Sequence, residues 1–229
     1  MKGPVKRAVI AVIMINCILI AIVFCCRILG RFAYSDHLDE PVVTVDGKNV
    51  TLKEFGYYIY QVEAFVQKQA LIYDADNPKR WWNTHFSAGM DSQFVCDYAK
   101  KVALNICIAE EIYYQEALSH GITLTRDEES RATEEGRKVF AGMDPAQIRS
   151  AGLDEKTMIA MSLKHALAAR YSMHLIEDEL PGFRSEEPEK LVNWDGSYYL
   201  EEVLPKHVTW INDDLLDKIM FGKITVNLP

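Results

Sequence analysis

The chain has 229 residues, 49% of them apolar, and a formal net charge of −8. That charge is unevenly spread. Residues 1–35 hold five of the 25 bases and no acid, which leaves 20 bases against 33 acids in the remainder, a net of −13. Such a surface repels nucleic acid and anionic headgroups, because non-specific affinity for both comes from basic side chains on phosphates; a basic or neutral polypeptide partner fits it better.

Residues 1–7 read as a short cytoplasmic N-terminus and 8–29 as a membrane anchor. Ala8 to Cys26 is a run of 19 uncharged residues with Asn16 as its only strongly polar member. At about 1.5 Å per residue this run spans a hydrocarbon core. Lys2, Lys6 and Arg7 precede it, which favours a cytoplasmic amino terminus and an extracytoplasmic domain. A cleaved signal and a lipoprotein signal are the rivals. The run ends Ile-Val-Phe-Cys-Cys-Arg, without a small-x-small site, and Phe24 stands before Cys25 where a lipoprotein signal wants a small residue. The uncleaved anchor is therefore preferred, placing the protein in the cell membrane as a single-pass protein. Residues 30–41 read as a linker.

Val42 to Val50 is a β-rich run broken by Asp46-Gly47, a tight-turn signal. Thr51-Leu-Lys-Glu54 is a capping box that opens a helix, with apolar positions at Phe55, Tyr58, Ile59, Val62, Phe65, Val66, Ala70 and Tyr73. Asp76-Asn77-Pro78 ends it. Residues 79–91 are irregular. A long helix is expected from about Ser92 to Ser119, stopped by Gly121. Thr125-Arg-Asp-Glu128 is a second capping box; its helix is polar until Val139 and Phe140, so it projects into solvent or needs a partner. Asp144-Pro145 opens a short helix that Gly152 closes. Asp154 to Ile176 is a further helix. Residues 177–197 read as an acidic loop. Two strand-like runs, 207–211 and 224–228, flank a brief helix at Asn212–Ile219, and these strands can pair with the Val42–Val50 hairpin. The expected fold is mainly α, with a small β-element made by the two ends of the domain.

The run Val-Asp-Gly-Lys-Asn-Val-Thr-Leu-Lys-Glu-Phe, ending at Phe55, resembles the start of SurA-like and PrsA-like foldase chaperones. So does Glu111-Ile-Tyr-Tyr-Gln-Glu-Ala-Leu-Ser-His-Gly-Ile-Thr-Leu-Thr-Arg-Asp-Glu-Glu. The resemblance covers residues 42–176. It implies a SurA-N-like helical peptide-binding module outside the cytoplasm, with 177–229 as an acidic loop and tail packing back on it. Many such relatives carry a parvulin prolyl isomerase domain after this module. About 50 residues follow Ile176, too few for one, so no catalytic residue is carried over.

Other chemistry is sparse. The motifs His-Glu-x-x-His, Gly-x-Ser-x-Gly, a phosphate loop and Cys-x-x-Cys are all missing, so the expectation is no metal, no cofactor and no catalysis. Cys96 and Cys107 are about three helical turns apart and cannot bond within one helix; both are expected buried and reduced. Glu110, Glu111 and Glu116 share one helix, where a solvated face outweighs acid–base work. Trp81, Trp82 and Phe86 lie near Arg80, a composition common in binding hot spots. Plugging the loop onto the core is the competing role for these aromatics. Met158, Met161 and Met173 read as core first, with a soft client surface as the alternative; Tyr171 stands on the apolar side of the same helix. The candidate peptide-binding residues are therefore Trp81, Trp82, Phe86, Met158, Met161 and Tyr171. The partners expected are unfolded or secreted polypeptides; oligomeric state stays open. The alternatives are a docking domain for one folded envelope or secretion partner, and a residual isomerase.

Overall fold

Asp46 and Gly47 take φ of 48° and 79°, the left-handed pair that a two-residue hairpin turn requires. They join β1 (Pro41–Val45) to β2 (Lys48–Thr51), antiparallel with Val45 opposite Lys48. These contacts belong to a computed structural model that describes residues 32–85, 92–179 and 187–228. The anchor expected at 8–29, residues 1–7 expected on its cytoplasmic side, and Phe86 lie outside the described residues. Among the described residues no helix is long and apolar enough to cross a membrane.

Thr51 caps α1 (Leu52–Tyr73) with both arms of the capping box present. Its hydroxyl accepts from Glu54 N at 3.3 Å, and Thr51 N donates to Glu54 Oε2 at 2.8 Å. A short helix α2 (Lys79–Trp82) leads to α3 (Val95–Ser119), and Gly121 at φ 69° stops α3. The second capping box, Thr125 with Glu128, opens α4 (Arg126–Ala141). Asp144 caps α5 (Pro145–Ala151), and Gly152 ends it in the left-handed region. Asp154 caps α6 (Glu155–His174), which runs on into a π-turn at Leu175–Glu179. After α7 (Pro188–Val192) come a π-turn at Tyr199–Val203, then β3 (Thr209–Ile211) and α8 (Asp213–Leu216).

The sheet order is β2–β1–β3, with β3 antiparallel to β1 and Val43 opposite Ile211. The expected β-element built from the two ends of the domain is present, through the first of the two tail runs. The core lies between this sheet and the helices: Val42, Val43, Val45, Leu52, Phe55, Ile59, Ile112 and Met158 are fully buried.

Three sequence expectations are corrected, and a fourth is decided between its two alternatives. The polar helix from Arg126, expected to project into solvent or to need a partner, has one: it packs along α6. Ala132 and Gly136 are buried at that contact, and a Cβ on Gly136 would meet Ile159 Cα at 2.8 Å. Small residues replace apolar ones as the docking surface, so the backbones approach closely. Residues 224–228 form no strand; at their start the N–H groups of Ile224 and Thr225 turn inward to the buried carboxylate of Glu63. The segment read as a loop at 177–197 contains α7, held where the Tyr113 hydroxyl donates to Val192 O at 2.5 Å. Phe65 leaves the buried stripe of α1 and is 64% exposed, while Glu63 takes a fully buried place on that helix.

Candidate functional site

Glu63 organises one end of the molecule. Its Oε1 accepts from the backbone of Gly222, Lys223 and Ile224 at 2.5, 3.2 and 3.3 Å. Its Oε2 accepts from Thr225 N and Thr225 Oγ1 at 2.5 and 2.6 Å. Burial pushes the carboxyl above its ordinary pKa, and the Thr225, Gly222 and Ile224 donors pull against that rise. The tail loop is thereby wound around an acidic side chain of α1. Gly222 sits at φ 84° against the Trp82 indole, where a Cβ would lie 2.6 Å from Cδ2. Trp82 Nε1 donates to Gln67 Oε1 at 2.9 Å. A cavity of about 520 Å³ opens beside this contact, lined by Lys79, Trp82, Cys96, Lys100, Met220 and Asn227.

A second opening, about 540 Å³, lies between α3, α6 and α7. Ile106, Ala109, Ala169, Met173, Ile176 and Trp194 line it. Met173 is 46% exposed, so a flexible thioether stands at the mouth of an apolar trough. One end is polar. His165 Nδ1 lies 2.7 Å from Glu110 Oε1, and that hydrogen bond raises the imidazole pKa while partial burial lowers it. The next residue of α3 is also charged: Glu111 is buried and pairs with Lys164, and it accepts from Gln115 Nε2 at 2.8 Å.

The residues singled out in the sequence are not gathered into one site. Trp82 is buried beside the tail loop. Trp81 is half-buried, its ring 4.9 Å from that of Tyr73. Met158 and Met161 are buried, and the Met158 carbonyl lies against Gly136. Tyr171 is buried with its ring 5.9 Å from Tyr113 and 5.4 Å from His120, and its hydroxyl donates to Glu116 Oε2 at 3.4 Å. Of the three methionines weighed as soft contacts, Met173 is the exposed one. Cys107 is buried and Cys96 half-exposed, both as free thiols. Glu110, Glu111 and Glu116 do not form a solvated face; each is engaged by a different partner.

Sequence reasoning passes over Glu63, Trp194 and the Glu110–His165 pair. Glu63 had a signal: an acid four residues after Ile59 and eight after Phe55 interrupts an apolar stripe at a position that packs inward. Trp194 had none, standing alone in an acidic stretch. The arrangement is suited to holding an apolar segment beside a hydrogen-bonding dyad. No known protein family, characterised protein or solved structure matches the chain.

Proposed function

We propose that this chain is a membrane-anchored, extracytoplasmic chaperone-like protein that holds unfolded or nascent secreted polypeptides without turning them over. The anchor is residues 8–29. The holding surface is the trough between α3, α6 and α7, and its exposed, adaptable Met173 beside Trp194 is the observation that carries the reading. Apolar client side chains enter the trough, Glu110 and His165 offer hydrogen bonds at its end, and the acidic surround keeps the complex soluble. The order of the motifs across 42–176, which resembles SurA-like and PrsA-like foldases, supports the same reading. An isomerase role has less support, because the tail packs on the sheet and α1.

The test is aggregation suppression by the purified full chain in detergent, with a reduced, unfolded client. Wild type is expected to suppress aggregation, and Met173→Glu to lose most of that effect while keeping its melting temperature. Suppression that survives Met173→Glu, or none in wild type, overturns the reading. A second reading, docking of one folded partner, is favoured by Phe65 and Ile72, seven apart on α1 and 64% and 80% exposed. A single stoichiometric partner in a pull-down, lost on Ile72→Glu, would establish it.

A further inference from the structure

β3 is an edge strand with one side unused. The sheet order places it outermost next to β1. Asp46 N donates to Val208 O and Asn212 N to Val42 O, both at 2.9 Å. Bonded positions alternate along an antiparallel ladder, so Val208, Trp210 and Asn212 face β1. Thr209 and Ile211 then turn their N–H and C=O groups to the open edge. Among the described residues no hydrogen bond reaches those four groups.

Edges are commonly blunted by shortness, or by a proline, a lysine or a bulge on the strand. β3 reads Thr-Trp-Ile, so it is short but carries no proline, lysine or bulge; the sheet's register shift lies on the far side, between Pro41 and Val43. Trp210 is 52% exposed and Val208 76% exposed. They lie two apart, on the face opposite Ile211. The strand is also tied at both ends to the β1 hairpin. His207 Nδ1 lies 2.6 Å from Asp46 Oδ2, Val208 N donates to Asp46 Oδ1 at 2.8 Å, and Asn212 Nδ2 donates to Pro41 O at 3.1 Å.

We propose that the free edge of β3 is a docking site for an extended, basic polypeptide segment, which adds to the sheet as a fourth strand beside Thr209–Ile211 and packs an apolar side chain on Trp210. Main-chain pairing supplies affinity that tolerates sequence, and Trp210 with Val208 supplies a preference for large apolar side chains. Charge selects the occupant. In the segments just before and after the strand, Glu201, Glu202, Asp213, Asp214 and Asp217 are exposed, against Lys206 and Lys218. A second copy of this chain would bring another net −13 against the same surface, whereas a lysine-bearing segment meets opposite charge. The proposal takes its class of occupant from the polypeptide-holding reading, but uses a different surface from the trough.

The test is fluorescence polarisation with the full chain in detergent and a labelled, end-blocked alternating lysine–valine peptide. The same peptide N-methylated at alternate residues is the control. The parent peptide is expected to bind, and the methylated one to bind at least about tenfold more weakly, since half its backbone donors are gone. Thr209→Pro removes one outward N–H and leaves the ladder to β1 intact; it is expected to weaken binding to the same degree at an unchanged melting temperature. Trp210→Ala is expected to weaken it about fivefold. In wild type, the Ile211 amide should gain hydrogen-exchange protection when the parent peptide is added, a readout that needs no variant. Equal binding of parent and methylated peptides, or of wild type and Thr209→Pro, overturns the proposal. Binding lost in Met173→Glu but kept in Thr209→Pro would assign the peptide to the trough, ending the edge proposal while the holding function stands. Binding lost only in Thr209→Pro, in a chain that suppresses no aggregation, would keep the edge site and end the trough reading. A concentration-dependent dimer in sedimentation that disappears in Thr209→Pro would give the edge to a second copy and overturn the proposal.

Discussion

Glu63 and Thr225, separated by 162 positions in the chain, meet in the interior, where the backbone N–H and the hydroxyl of Thr225 both donate to one carboxylate oxygen of Glu63. Three further N–H groups, from Gly222, Lys223 and Ile224, converge on its other oxygen. Removing the carboxylate strands all of these donors away from water. Glu63→Ala should therefore lower unfolding stability by about 3 kcal/mol. Glu63→Gln should be nearly as costly, because its amide places N–H groups against N–H groups. Urea denaturation measures both, and limited proteolysis should show the region after Phe221 cleaved first.

Gly222 lies under the Trp82 ring at φ 84°, with no room for a Cβ. Gly222→Ala should cost about 2 kcal/mol from backbone strain and crowding together. Trp82→Leu in the same chain should recover the crowding part alone, so the two changes should be non-additive in a double-mutant cycle. Additive effects would mean the contact is slack.

Gly136 sets the approach of α4 to α6, with Ile159 Cα 2.8 Å from where a Cβ would stand. The obstacle is backbone, which cannot swing aside. Gly136→Ala should lose about 1–3 kcal/mol despite the better helix propensity of alanine. Glu134→Ala, on the exposed side of the same helix, should change stability by less than about 0.5 kcal/mol. Thermal melts of the two variants decide whether small-residue packing holds α4 in place.

Asp154 caps α6 and accepts from Lys53 Nζ at 2.5 Å, which with the Thr157 N–H holds its carboxyl at about 2, below its ordinary 3.8. A depressed acid stabilises the fold above its unfolded value, and that contribution is lost as pH falls through the folded one. The side chain is 51% exposed, so solvent screening limits the ion pair to under about 1 kcal/mol. Lys53→Met should then be less stable than wild type at neutral pH. The gap should shrink between about pH 4 and pH 2, when the carboxyl is protonated in both chains. Denaturation midpoints at several pH values check this; a gap that is constant with pH would place the effect in packing of the Lys53 stem.

Much of the fold was legible where a few adjacent residues decide the conformation. Asp46-Gly47 specifies the turn, and Thr51 with Glu54 and Thr125 with Glu128 specify helix starts within a single turn of chain. The strand at 207–211 was legible through its β-branched and aromatic residues. What was hidden depends on distant partners. Glu63 falls at an inward position of the α1 stripe, but the donors that make an acid tolerable there come from a tail far along the sequence. Residues 224–228 have strand-forming side chains, yet the N–H groups of Ile224 and Thr225 are taken by Glu63, which turns the start of the segment away from a ladder. The α4 helix lacks the apolar stripe by which docking is recognised, because Ala132 and Gly136 dock by being small. At the candidate site, Met158, Met161 and Tyr171 had the right chemistry for a soft surface, but helical phase turns them inward and leaves Met173 outward. Trp194 and the Glu110–His165 pair come together only when α7 closes over α6, which no local pattern announces.

The pairing of β1 with β3 also sets an order of events at birth. Val43 is made long before Ile211, and Glu63 long before Thr225, so during synthesis the emerging hairpin has a bare edge and α1 has an ionised side chain where the finished interior will be. The bare edge of β1 can be covered only once Ile211 has been polymerised, and the Glu63 carboxylate can be satisfied only once Thr225 has followed. The nascent protein therefore stays open at one end through most of its own translation, and the winding of the tail loop around Glu63 is the later of the two closures.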